Sequence, residues 1–294
     1  MRTLIFALAA LFVSAESYAA PFCTLLADAP SGRIVYSQGT CDERVTPAST
    51  FKLPISVMGF DAGILTSAHA PAWPYREEYK AWHKEWKKTH DPTSWLRESV
   101  VWYSQVITRT LGRKGFQHYV DAFGYGNRDV SGNRGFDDGL TNAWLSSSLQ
   151  ISPYEQMTFL HKLFLRKLPA SPQAQDLTIG IMPAFTLDDG WMLQGKTGTG
   201  SQQDANGKPD DDRQIGWFIG YASKGGRQLI FVRLIEDDAK IDSPAGPRAR
   251  DAFLAELPEL LKKSEPLRHG ASAGESALGD RFSARSRQPS KGGV

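Results

Sequence analysis

Apolar residues recur along this chain with two different periods, and the switches between them mark out the elements. Residues 22–27 and 33–37 are short apolar-rich runs separated by Asp28-Ala29-Pro30-Ser31-Gly32, which predicts two strands joined by a turn. After Pro47 the pattern changes to a helical one carrying Leu53, Ile55, Val57, Met58 and Phe60, and it stops near Gly63. Pro54 is compatible with that helix because it lies close to its start, where a missing N–H removes no intrahelical bond. A second helical stretch covers about 95–123 and is interrupted at Gly112. Ser152-Pro153-Tyr154-Glu155 has the make-up of a capping box with Pro at the first helical position, predicting a helix that runs to about Leu168. Residues 191–196 read as a strand, 215–221 and 228–234 as a hairpin, and 247–263 as a closing helix. Strands at both ends with helices between them predict an α+β fold, a central antiparallel sheet with flanking helices and a mostly helical insert.

The two ends of the chain depart from this pattern. Arg2 precedes an apolar run, 4–13, too short to span a bilayer, and Ser17-Tyr18-Ala19 places small residues before a cut. The expectation is a signal peptide over 1–19 and a mature domain over 20–263, exported to the periplasm. No Cys follows the cut to take a lipid, and no other stretch is apolar enough to span a membrane, so no membrane attachment is expected of the mature form. Residues 264–294 are rich in Ser, Gly, Ala and Arg without periodicity and are expected to be a disordered tail.

Composition narrows the function classes. With 34 basic and 32 acidic residues the net charge is only +2, which gives no footprint for nucleic acid or an anionic membrane surface. Cys23 and Cys41 are the only cysteines. In an oxidising compartment they are expected to pair, the alternative being two buried free thiols. Neither sits at a metal-like spacing from a His, so no metal site is expected. The acidic run Asp210-Asp211-Asp212, within residues 202–213, lacks the ligand spacing and Glu of a calcium loop and reads as a solvated loop.

The chemistry-bearing feature is Ser49-Thr50-Phe51-Lys52, read together with Lys196-Thr197-Gly198. A serine followed three positions later by a lysine at a helix start puts a hydroxyl and an amine on one face, where the amine can take the proton of an attacking oxygen. Chance alone supplies roughly one S-x-x-K in a chain of this length, so the pairing with the downstream triplet carries the weight. Residues 190–197 also match the phosphate-binding pattern G-x-x-x-x-G-K-[ST]. Bulky residues fill the space between its glycines and no helix follows, so nucleotide binding is rejected. His69, His83, His90, His118, His161 and His269 are scattered without a partner carboxylate, which leaves lysine as the base rather than a Ser-His-Asp arrangement. Ser99-Val100-Val101 offers a second hydroxyl beside an apolar pair. Tyr125-Gly126-Asn127 alone reads as an ordinary helix-stop turn, and Trp144 alone as a core residue.

Taken in order, Ser49-Thr50-Phe51-Lys52, Ser99-Val100-Val101, Tyr125-Gly126-Asn127, Trp144 and Lys196-Thr197-Gly198 resemble the motifs of the class D β-lactamases, the oxacillinases, over about residues 22–263. The Ser-Asp-Asn of the class A enzymes and penicillin-binding proteins is absent, with Ser99-Val100-Val101 in its place. The resemblance implies a Ser49 acyl-enzyme formed from a small-molecule β-lactam. It implies carbon dioxide or bicarbonate, but no other cofactor, for carboxylation of Lys52, the general base. Burial near Val101, Trp144 and Leu145 favours the neutral amine needed for that carboxylation. Trp144 then donates its indole N–H to the carbamate, Ser99 relays a proton to the leaving nitrogen, and Lys196 shapes the field. The N–H groups of Ser49 and Thr199 form an oxyanion hole. Val101, Tyr125, Asn127, Leu145, Gly198 and Thr199 are implied to line the substrate site, while Thr197 and Arg248 hold the substrate carboxylate, with Arg250 as the alternative to Arg248. Two other classes share the tetrad: a β-lactam sensor that stays acylated, and a peptidoglycan transpeptidase or carboxypeptidase. A sensor calls for membrane spans or a signalling module, and a transpeptidase for an anchor and a Ser-x-Asn motif. The substrate range and oligomeric state are open at this level.

Overall fold

The computed structural model describes residues 21–204 and 206–264. The predicted signal peptide and tail, except Ser264, lie outside the described residues. Six strands form one antiparallel sheet: β1 (Pro21–Asp28), β2 (Ile34–Gly39), β3 (Ala184–Thr186), β4 (Met192–Gln203), β5 (Pro209–Lys224) and β6 (Arg227–Glu236), in the order β2-β1-β6-β5-β4-β3. Among the described residues seven α-helices accompany it: α1 (Lys52–Asp61), α2 (Pro92–Glu98), α3 (Val101–Phe123), α4 (Gly139–Asn142), α5 (Pro153–Phe164), α6 (Pro172–Gly180) and α7 (Ala245–Lys263). None of the described helices is long and apolar enough to cross a membrane. The α+β sheet with flanking helices and a helical insert is the architecture expected.

Side chains on a strand alternate between faces, and here both faces are buried. Leu25, Trp217, Ile219, Ile230, Val232 and Leu234 join the core under α1, α3 and α5. Leu26, Phe218, Phe231 and Ile235 join a second core that α7 covers with Phe253 and Leu257. That double burial is why β5 and β6 read as nearly continuous apolar runs.

The local signals act as their chemistry requires. The capping box at α5 is formed, with Ser152 N donating to Glu155 Oε2 at 2.9 Å and Glu155 N to Ser152 Oγ at 3.3 Å. Gly112, at φ 68° and ψ 167°, kinks α3 without ending it. Three expectations change. The stretch 95–123 is two helices, α2 and α3, separated at Ser99 and Val100, where the left-handed Ser99 ends the first. Helix α5 stops at Phe164, short of Leu168. Residues 202–213 are not a loop throughout: Gln202 pairs with Asp210 and Gln203 with Pro209, so β4 and β5 run on past the sheet. Exposure on that projecting ribbon lets its residues be polar and acidic, which hid the strand period.

Cys23 and Cys41 form a disulfide across a sequence separation of 18. It ties β1 to the segment that leads into Ser49. A bridge closing a loop of that size contributes about 3 kcal/mol. Replacing both cysteines by serine is therefore expected to lower Tm by about 6 to 12 °C in a thermal melt. An unchanged melt would show that the bridge adds no stability.

Candidate active site

Ser49 sits in a single 3-10 turn, Ala48–Phe51, that runs straight into α1. Thr50 secures the turn: its Oγ1 donates to Pro47 O at 2.6 Å and accepts from Gln156 Nε2 at 2.8 Å. Lys52 Nζ donates to Ser49 Oγ at 3.0 Å. Ser49 is half-buried, whereas Lys52 is completely buried. Burial, and secondly the nearby charge of Lys196, hold the Lys52 amine well below its ordinary pKa. Once neutral, its lone pair faces the hydroxyl it otherwise donates to.

A second lysine closes the other side. Lys196, on β4 opposite Ile219, points to the insert face, where its Nζ donates to Ser99 Oγ at 3.0 Å and to Thr197 O at 2.9 Å. Burial brings its pKa down to about 7. Ser99 is presented by the end of α2 in a left-handed conformation, φ 60°. Trp86 Nε1 holds the preceding carbonyl, Glu98 O, at 3.0 Å.

The lowered lysine pKa values fix a sign. Between pH 7 and 10.5 the unfolded chain binds more protons at Lys196 than the folded one, so these sites favour folding increasingly as pH rises through that window. Lys196→Met is expected to flatten the rise in urea midpoint between pH 7 and 9. An identical slope in the variant would show that Lys196 is not depressed.

Trp144 is fully buried, its ring centroid 5.7 Å from that of Phe51 and 6.2 Å from that of Phe116. Its indole N–H has no acceptor among the described residues. An unpaired donor in an apolar setting is costly. Val101 is buried at the start of α3, and Leu145 is half-buried beside Trp144.

The edge of β4 completes the site. Gly195 N donates to Pro183 O and Ser201 N to Ser146 Oγ, both on the side away from β5. By the two-residue repeat, the N–H groups of Thr197 and Thr199 face that same edge. Gly198 lies against the nucleophile turn, since a Cβ there would come 3.2 Å from Ser49 N and 3.1 Å from Thr50 N. Across β4 the first turn of α7 is equally close: a Cβ on Gly246 would come 2.7 Å from Gly198 O, and Gly246 N donates to Thr199 Oγ1 at 2.9 Å. Gly246→Ala is therefore expected to push β4 toward Ser49, costing about 1 to 3 kcal/mol of stability and lowering kcat/KM. Wild-type values in a melt and a progress curve would refute that.

Three residues taken as substrate contacts stand differently. Tyr125 is buried against Phe51, ring centroids 5.0 Å apart, and its hydroxyl donates to Gln156 Oε1 at 3.3 Å. Asn127 donates to Ser148 O at 2.8 Å and accepts from Gln150 N at 3.0 Å, joining the turn after α3 to the Trp144 loop. Both are tied into the wall of the site by these contacts. Arg248 donates through Nη1 to Asp237 Oδ1 at 3.0 Å and through Nη2 to Asp237 Oδ2. Its charge is thus matched by a buried carboxylate. Arg250 pairs with Asp251, so neither arginine is a free cation. The Gln156–Thr50 link under the nucleophile turn was not visible in the sequence, because its partners lie 106 residues apart.

The chain is similar to known proteins along most of its length. Residues 16–259 match the family model described as penicillin binding protein transpeptidase domain. β-Lactamase OXA-9 of Klebsiella pneumoniae is 45% identical over 241 residues, covering 81% of this chain and 88% of that one. β-Lactamase OXA-1 of Escherichia coli is 38% identical over 213 residues, covering 71% and 74%. The crystal structure of the OXA-427 class D β-lactamase superimposes with a TM-score of 0.77 at 48% identity, over 83% of this chain and 99% of that one.

Proposed function

The chain belongs to the class D β-lactamases, and from that premise we propose that it opens the ring of penicillin-type β-lactams through an acyl-enzyme on Ser49 and is exported to the periplasm. The observation that carries this is the buried Lys52 amine, 3.0 Å from Ser49 Oγ, together with a buried Trp144 indole N–H that lacks an acceptor among the described residues and whose ring lies 5.7 Å from that of Phe51, the chain neighbour of Lys52. A neutralised amine together with an unpaired donor fits a carbamate. When carbon dioxide has added to Lys52, that group supplies general-base catalysis to both acylation and deacylation.

Ser49 Oγ, relieved of its proton, attacks the lactam carbonyl, and the C–N bond of the ring breaks as the carbonyl re-forms. The N–H groups of Ser49 and Thr199 bind the developing oxyanion. Ser99, held by Lys196 Nζ at 3.0 Å, gives its proton to the leaving nitrogen. Lys196, its pKa brought by burial to about 7, replaces that proton, and Thr197 binds the substrate carboxylate. Pairing with Asp237 and donation from Nε to Ser243 O leave Arg248 two of its five N–H groups. A water then attacks the acyl carbonyl and frees Ser49.

Export rests on the N-terminal pattern and on the disulfide, which suits an oxidising compartment. Sequencing the mature N-terminus tests it, with Ala20 expected first. The activity is tested by following penicillin hydrolysis in degassed buffer with and without bicarbonate. Sustained turnover that falls without bicarbonate and recovers with it supports the proposal. One stoichiometric burst followed by silence would mean a protein that is acylated and stops.

A further inference from the structure

Thr46 lies three residues before the nucleophile and has no part in the steps above. It is 5% exposed. Its Oγ1 donates to Trp144 O at 3.0 Å and accepts from Ser146 N at 3.0 Å, so one hydroxyl grips the backbone on both sides of Leu145. Its carbonyl is held in turn by Trp217 Nε1 at 2.8 Å, which roots Thr46 in β5. Gly200 leaves room for its methyl, since a Cβ there would come 2.7 Å from Thr46 Cγ2.

The gripped backbone needs holding. Ser146 has φ 53°, a left-handed conformation that a non-glycine residue keeps only when its surroundings impose it. The residue two places earlier, Trp144, carries the indole N–H without an acceptor. Its direction is set by backbone orientation together with ring packing, because the ring has no hydrogen bond of its own to the described residues. We propose that Thr46 is a positioning residue for the carbamate of Lys52, its hydroxyl fixing the Trp144 backbone so that the indole N–H meets the modified amine. This rests on the reading of Lys52 as carboxylated.

In the carboxylation, a bond forms between the neutral Lys52 nitrogen and the carbon of carbon dioxide, one C–O π bond gives its electron pair to oxygen, the displaced N–H proton passes to solvent, and nothing is oxidised or reduced. The addition is reversible, so occupancy depends on how well the charged product is held. Loss of the Thr46 hydroxyl leaves the Ser146 N–H buried without its acceptor and releases the Trp144 carbonyl. Rearrangement there is expected to weaken carbon dioxide binding about tenfold.

The test titrates carbon-13 bicarbonate into the mature wild-type protein and the variants Thr46→Val, Thr46→Ala and Thr46→Ser, reading the carbamate signal by NMR. Penicillin hydrolysis is followed at the same concentrations. The Ala and Ser variants lack the same methyl and differ only in the hydroxyl, so they keep the comparison intact if valine at 46 misfolds. Expected is a midpoint near wild type for Ser, a midpoint about tenfold higher for Ala and Val, and activity recovered at high bicarbonate. Equal midpoints for Ala and Ser beside a clear wild-type signal would overturn the role of Thr46 alone. No carbamate signal in wild type would overturn the reading of Lys52 and this proposal with it.

Discussion

Ser49→Ala is expected to lower kcat/KM for a penicillin by about four orders of magnitude or more, with no acyl adduct in the mass spectrum of the protein. The expectation follows from position: Ser49 is half-buried, and the Lys52 amine lies 3.0 Å away in a site where burial disfavours its charge. Lys52→Met should disable turnover as severely, and with a second signature. Exchanging a buried amine for an apolar side chain of similar length removes a desolvation cost, so that variant should melt higher than wild type while losing activity. An inactive Lys52 variant that melts lower would mean that the amine is structural. Retained turnover in Ser49→Ala would move the nucleophile elsewhere.

Trp144→Phe is the second large effect. The ring contacts with Phe51 and Phe116 survive the change, and only the N–H is lost. A donor with no acceptor among the described residues contributes nothing to folding through a hydrogen bond, so Tm should stay within a few degrees of wild type. Activity should fall about 10²- to 10³-fold, the range for removing one donor to a charged group at the reacting centre, and recover in part as bicarbonate is raised. Full activity at ambient carbon dioxide would show that the indole N–H serves no anion. A large loss of stability with bicarbonate-insensitive activity would show that the indole matters only as packing.

What could be read before the structure divides by sequence distance. Ser49 and Lys52 are three residues apart on one helix start, and that geometry is local enough to be legible. The capping box at Ser152 and Glu155 was legible for the same reason. Lys196 and Ser99 are 97 residues apart, and no periodicity links them; the resemblance to a family named them, and the sheet brings them together. Tyr125 and Asn127 illustrate the limit of motif reading. Their spacing marks them, but the ring packing on Phe51 and the amide bonds to Ser148 and Gln150 tie them into the wall. The resemblance gave Arg248 to the substrate carboxylate, and a sequence cannot show that Asp237, 11 residues earlier, would be buried against it. The projecting ribbon of β4 and β5 was missed because its strands are polar on both faces, and alternation is visible only where one face meets a core.

Strand β1, among the first described residues, lies inside the sheet between β2 and β6, and its register with β6 pairs Leu25 with Val232 and Leu26 with Phe231. The start of the domain therefore waits for nearly all of the chain before it can complete its hydrogen bonding. Closure of so long a loop makes for slow folding, and a ribosome-bound fragment ending before Arg227 has no strand to offer β1. A nonsense mutation anywhere upstream of β6 leaves not a weakened enzyme but an exposed strand edge, a substrate for proteases. Resistance carried by this chain is consequently all or nothing with respect to truncation, even where the lost segment contains none of the catalytic side chains.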